Sequence, residues 1–101
     1  MKIKVAELNG LALDLAIGAL KGASWSPSSR VPYSGDWDHG GVILSENKME
    51  FDFDEDSQLY SAYDGFSCGV GETHLIAACR CVLTTKSGEE IEVPDEILAL
   101  N

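Results

Sequence analysis

The sequence predicts an α+β fold: two main helices packed on a small, mostly antiparallel sheet, with a long central loop. Three observations carry that expectation. Apolar residues recur at helical spacing through Leu13, Ala16, Ile17 and Leu20. They do so again through Leu75, Ile76, Cys79, Val82 and Leu83. Between these stretches Met49, Phe51 and Phe53 alternate with Glu50, Asp52 and Asp54, the period-two pattern of a half-buried strand. Small sheets built this way are usually antiparallel.

In chain order, "KIKVAEL" alternates partly, as a short edge strand or an extended lead-in would. Asn9 has the chemistry of an N-cap, and Leu8 and Leu13 sit where a hydrophobic staple places them. The first helix is expected from Gly10 to Lys21, with Gly22 as its stop. Leu11 and Leu15 add apolar surface on a second side, so this helix should be packed on more than one side. Residues Ala23 to Gly41 read as a loop rich in Ser, Pro and Gly, long enough to suggest a function. Val42 to Leu44 is a short apolar run suited to a strand, followed by the alternating strand around Phe51 and a third strand from Leu59 to Gly65. A glycine-rich connection, "DGFSCGVGET", leads into the second helix, which Thr73 or Glu72 can cap. That helix ends at "KSG", where Lys86 suits the negative end of the helix dipole. Ile91 and Val93 alternate in a last strand, and Pro94 can open a final helical turn.

With 101 residues and 45% hydrophobic content, the chain fits a single domain, 1–101, with a core of its own. Its longest apolar run, around Leu11 to Leu20, is broken by Asp14 and Gly18 and falls short of the roughly 20 residues a membrane span needs. The N-terminus shows no apolar stretch followed by a small-residue cleavage site, so a cytoplasmic protein is expected. Three cysteines, Cys68, Cys79 and Cys81, leave an odd thiol, which a secreted disulfide scaffold would avoid. Reduced, mostly buried thiols are the expected state. Seventeen acids against seven bases give a formal charge of −10, which repels nucleic acid and anionic membrane and would suit a basic partner surface.

Candidate sites are few. Asp36, Asp38 and His39 could offer a metal two carboxylates and an imidazole, but only if the loop curls around the ion. The plainer reading is a turn in which Asp36 caps local amides and Trp37 plugs the core. "DFDEDS" starts like a calcium loop, yet Ser57 stands where the glycine belongs and Tyr63 where a bidentate glutamate belongs. Five acids in the seven positions from Glu50 to Asp56 make a concentrated negative patch, or simply the solvated face of an edge strand. Ser26, Ser28 and Ser29 lack a nucleophile elbow, and "GVGET" lacks the lysine and spacing of a phosphate loop. Cys68 precedes His74 by six residues, a spacing that leaves a Cys–His pair open but is more often incidental.

Three blocks of the chain together resemble the NinX-like family, small proteins of unknown function from lambdoid phages and prophages. "ELNGLALDLAIGALKG" is similar to that family's N-terminal helix, with its Leu-Asp pair at Leu13 and Asp14 and its closing glycine at Gly22. "YSGDWDHGG" resembles the central Ser-x-x-Trp-x-x-Gly-Gly segment, departing from the family's pattern at Ser34, Gly35 and His39. "GETHLIAACRCVLTTKSGEEIEVPDEI" is similar to the C-terminal helix and Val-Pro-Glu/Asp ending. The resemblance spans nearly the whole length and implies a phage accessory protein acting in the cytoplasm of a bacterial host. It implies no activity, cofactor or catalytic residue.

The expectation is therefore a non-enzymatic, acidic interaction domain that binds a host or phage protein, with no cofactor, no direct contact with nucleic acid and no membrane association. Its contacts are expected at Glu50, Asp52, Asp54, Glu55 and Asp56, with exposed aromatics of the 33–37 loop. One version is a mimic of nucleic acid that draws a DNA-binding protein by charge. The alternative is a small ligand- or metal-binding domain or enzyme using the 33–41 loop, lined by Tyr33, Asp36, Trp37, Asp38 and His39.

Overall fold

The computed structural model describes all residues from Met1 to Asn101. Strand β1 (Lys2–Lys4) runs through a 3-10 turn (Val5–Glu7) into helix α1 (Gly10–Leu20). A second 3-10 turn (Pro27–Ser29) precedes α2 (Trp37–Asn47), after which β2 (Glu50–Asp54), β3 (Leu59–Tyr63) and β4 (Cys68–Gly71) follow as a meander. Helix α3 (His74–Ser87), β5 (Glu90–Glu92) and α4 (Asp95–Leu100) complete the chain. Every strand pairing is antiparallel: β2-β3-β4 form one sheet, and β1 pairs with β5 in a separate ribbon. The fold is α+β, with α3 between the three-stranded sheet and the helices α1 and α2.

Helix α1 is buried almost all round, from Ala12 to Gly18, which its apolar residues on two sides anticipate. Leu8 and Leu13 are both fully enclosed at its entrance. Asn9 occupies the N-cap position, but its side chain caps nothing in its own helix. The last residue supplies the acceptor instead: Ala12 N–H donates to Asn101 Oδ1 at 2.8 Å, and Asn101 Nδ2 donates to Asn9 Oδ1 at 3.1 Å. Closing the chain's two ends on each other thus satisfies one of the amides a helix start leaves unpaired. Thr73 caps α3 directly, accepting from Ile76 N–H at 3.1 Å. Gly22 has φ of 90° just beyond α1, the left-handed geometry that stops a helix.

Two expectations of local structure are overturned. Val42 to Leu44 are not a strand but the middle of α2, which begins at Trp37 and so shortens the central loop. Two glycines, Gly40 and Gly41, stand inside α2, and glycine normally weakens a helix by about 1 kcal/mol. The reason for one of them is contact. A Cβ at Gly40 would collide with the Tyr33 carbonyl oxygen and lie 2.8 Å from Leu75 Cδ2. The second correction is β4, which arises in the supposed glycine-rich connection. Its inward residues, Gly69 and Gly71, let α3 press onto the strand, since a Cβ at Gly69 would strike the backbone of Ala77 and Cys81. Backbone approach this close leaves no room for the apolar side chains that normally reveal a strand.

The main core joins Val5, Leu8, Leu13, Leu15 and Ile17 to Ile43, Leu83, Val93 and Ile97. Each such side chain contributes roughly 1.5–3 kcal/mol when fully buried. Every buried side-chain polar atom has a hydrogen-bond partner. No helix is long and apolar enough to cross a membrane.

Candidate interaction surface

The placement of α2 depends on one buried carboxylate. Asp14, on α1, is 1% exposed. Ser34 donates to its Oδ1 twice, through the backbone N–H at 2.8 Å and the hydroxyl at 2.6 Å. Arg30 Nε donates to Oδ2 at 2.8 Å. These three bonds fasten the loop to α1 at the point where α2 is about to start. Asp36 then N-caps α2, accepting from Asp38 N–H at 3.0 Å. Its second oxygen lies 3.1 Å from His39 Nδ1. The hydrogen bond from Asp38 N–H, followed by that from His39, holds the Asp36 carboxyl below the ordinary aspartate value.

The residues of the 33–41 stretch do not converge on a centre. Tyr33 and Asp36 are half-buried, whereas Trp37, Asp38 and His39 are exposed. Trp37 does not plug the core; it is 57% exposed because helix formation turns the first residue of α2 outward. None of the four surface grooves is lined by a residue between 33 and 41. No group of three or more His, Cys, Asp or Glu side chains is arranged to hold a metal ion.

The cysteines occupy different surroundings. Cys79 and Cys81 are enclosed, and burial pushes their thiols up to about 12 and about 11. At neutral pH both stay protonated and are poor nucleophiles. Cys68 is exposed on β4 and does not bond to His74.

Strand β2 is the edge of the meander, and its two faces differ sharply. Glu50, Asp52 and Asp54 lie on one face, opposite Tyr63, Ser61 and Leu59 of β3. All three acids are exposed, as are Glu55 and Asp56 in the following turn. No lysine, arginine or histidine forms an ion pair with any of these five acids. Asp54 also shapes the turn, accepting from Asp56 N–H at 3.0 Å and from Ser57 Oγ at 3.1 Å. Asp52 Oδ1 accepts the Phe53 N–H at 3.1 Å.

The other face of β2 carries Phe51 and Phe53, and there the rings gather around His74 at the start of α3. Tyr60 lies 4.0 Å from His74 between centroids, Phe51 lies 5.0 Å away edge-on, and Trp37 lies at 6.1 Å. Phe53 extends the group through Tyr60 at 4.7 Å and is itself 41% exposed. The result is a partly open aromatic shelf alongside an acidic edge. Sequence reasoning singled out the acids and Trp37 but missed the shelf and the Asp14 anchor. The period-two pattern of β2 pointed to one ring pair. Nothing local to His74 pointed to the other rings, and Ser34 and Asp14 lie 20 positions apart.

A scan against protein-family models finds no match, and a search of curated proteins finds none either.

Proposed function

We propose that this chain is a non-enzymatic interaction domain of a phage or prophage, which binds a host or phage protein through the acidic edge at β2. The observation that carries this reading is the alignment of Glu50, Asp52 and Asp54 on one exposed strand face with no basic residue paired to them. Unneutralised like charges at this spacing repel one another, and a basic partner surface relieves that repulsion while steering encounter. Glu55 and Asp56 extend the patch into the turn. The resemblance to the NinX-like proteins supports the assignment to phage. Asp14 and Gly40, two of the residues that carry the resemblance, belong to one unit in which α1, through Ser34, holds the start of α2. That unit is architectural, which fits a family motif without catalytic content.

The test is affinity capture from bacterial lysate at low and high salt, with a variant carrying Asp52→Asn, Asp54→Asn, Glu55→Gln and Asp56→Asn run in parallel. A specific protein lost both in the variant and at high salt is expected. Retention of the same protein by the neutralised variant would overturn the assignment of the acidic edge.

A further inference from the structure

The outer edge of β2 has no partner strand, and the acids on one of its faces stand beside rings on the other. An unpaired edge offers alternate backbone N–H and C=O groups to any strand that lies against it. The Phe53 N–H is occupied only by its neighbour's carboxylate, an exposed bond that an incoming carbonyl can replace. A strand added here would project its side chains alternately onto the two faces, because successive residues of a strand point to opposite sides. One set would meet Glu50, Asp52 and Asp54. The other would meet Phe51, Phe53 and the shelf that continues through Tyr60, His74 and Trp37.

Resting on the interaction reading above, we propose that the partner contributes an extended segment in which Lys or Arg alternates with apolar residues, and that it docks as a fourth strand on β2. Charge complementarity selects this occupant. A second copy of the chain pairing edge to edge would set the acids of one β2 beside those of the other, which is destabilising. A uniformly basic helix would satisfy the acids but leave both the edge amides and the rings unused. An alternating cationic strand uses all three features, with main-chain bonds giving affinity and the two faces giving specificity. Five residues of β2 set the length of the paired segment.

The probe is a short peptide alternating lysine with valine, titrated into the full chain at about 0.15 M salt, where charges more than about 8 Å apart are screened. Three controls accompany it: a peptide of the same composition with its lysines and valines in separate blocks, and two versions of the alternating peptide, each N-methylated along a different edge. The alternating peptide is expected to bind about tenfold tighter than the block peptide, as a few favourable cross-strand pairs imply. It should also slow hydrogen exchange of the Phe53 amide. Methylation of the edge facing β2 should abolish binding, whereas methylation of the opposite edge should leave it intact. Equal binding of alternating and block peptides, or indifference to methylation on either edge, would overturn strand addition. A lysate partner that still depends on the acids would then leave the broader interaction reading standing. Loss of that partner as well would remove both.

Discussion

Substituting Asp14 by Ala tests whether one buried carboxylate positions the surface described above. The side chain is 1% exposed and accepts two bonds from Ser34 and one from Arg30. Removing it leaves the Ser34 N–H and hydroxyl in a buried site without their acceptor, at a cost of about 1–3 kcal/mol per group. The Arg30 guanidinium is 43% exposed and returns to water, so its share is at most about 1 kcal/mol. The sum is about 2–7 kcal/mol, a large part of the roughly 5–15 kcal/mol that holds a domain folded. For a chain of this size the melting temperature should fall by at least about 8 °C. Ser34→Ala keeps the backbone N–H bond and should cost about 1–2 kcal/mol. Arg30→Ala should cost about 1 kcal/mol or less. Urea denaturation of the three variants gives the ranking directly. If Asp14→Ala lies within 1 kcal/mol of wild type, or if Arg30→Ala is the more damaging change, the anchor is not what fixes the loop.

Gly40→Ala should destabilise by about 1–3 kcal/mol, since its Cβ meets the Tyr33 carbonyl. Gly41→Ala finds only Trp37 Cε3 at 3.6 Å and should stabilise α2 by roughly 0.5–1 kcal/mol, so thermal melts of the two should move in opposite directions. Alkylation in native buffer should modify Cys68 quickly and stop at one equivalent. Cys79 and Cys81 are buried, with thiols held near 12 and 11, and should react only after denaturation, as mass spectrometry of timed samples would show. For Asp64, burial raises the carboxyl pKa. Hydrogen bonds from Thr85 Oγ1, Ser67 N–H and Phe66 N–H outweigh burial and bring it below its ordinary 3.8. A lowered carboxylate stabilises the fold above its unfolded value and loses that contribution as pH falls through the folded one. The stability gap between wild type and Asp64→Asn should therefore be complete above 3.8 and close below it, followed by urea midpoints across the acid range.

Local pattern and tertiary contact divided the determination of this fold between them. Residue order alone determined the α+β class, α1, β2, β3, α3 with a cap at Glu72 or Thr73, and the closing β5–α4 segment. Each of these has a hydrophobic period or cap chemistry contained within a few neighbours, which is where such signals act. The acidic row was legible for the same reason, because alternation at Glu50, Asp52 and Asp54 assigns a face without any knowledge of what lies opposite. Contacts between distant segments decided the rest. Helix α2 contains Gly40 because Tyr33 and Leu75 come too close for a side chain, and β4 contains Gly69 and Gly71 because α3 does. In a sequence those glycines read as loop, since the pressure that selects them comes from residues far along the chain. The outward turn of Trp37, the clustering of rings on His74 and the grip of Asp14 on Ser34 follow the same rule. Sequence determined which residues carry charge, and packing decided that the acidic row would lie on an open edge beside a shelf of aromatic rings.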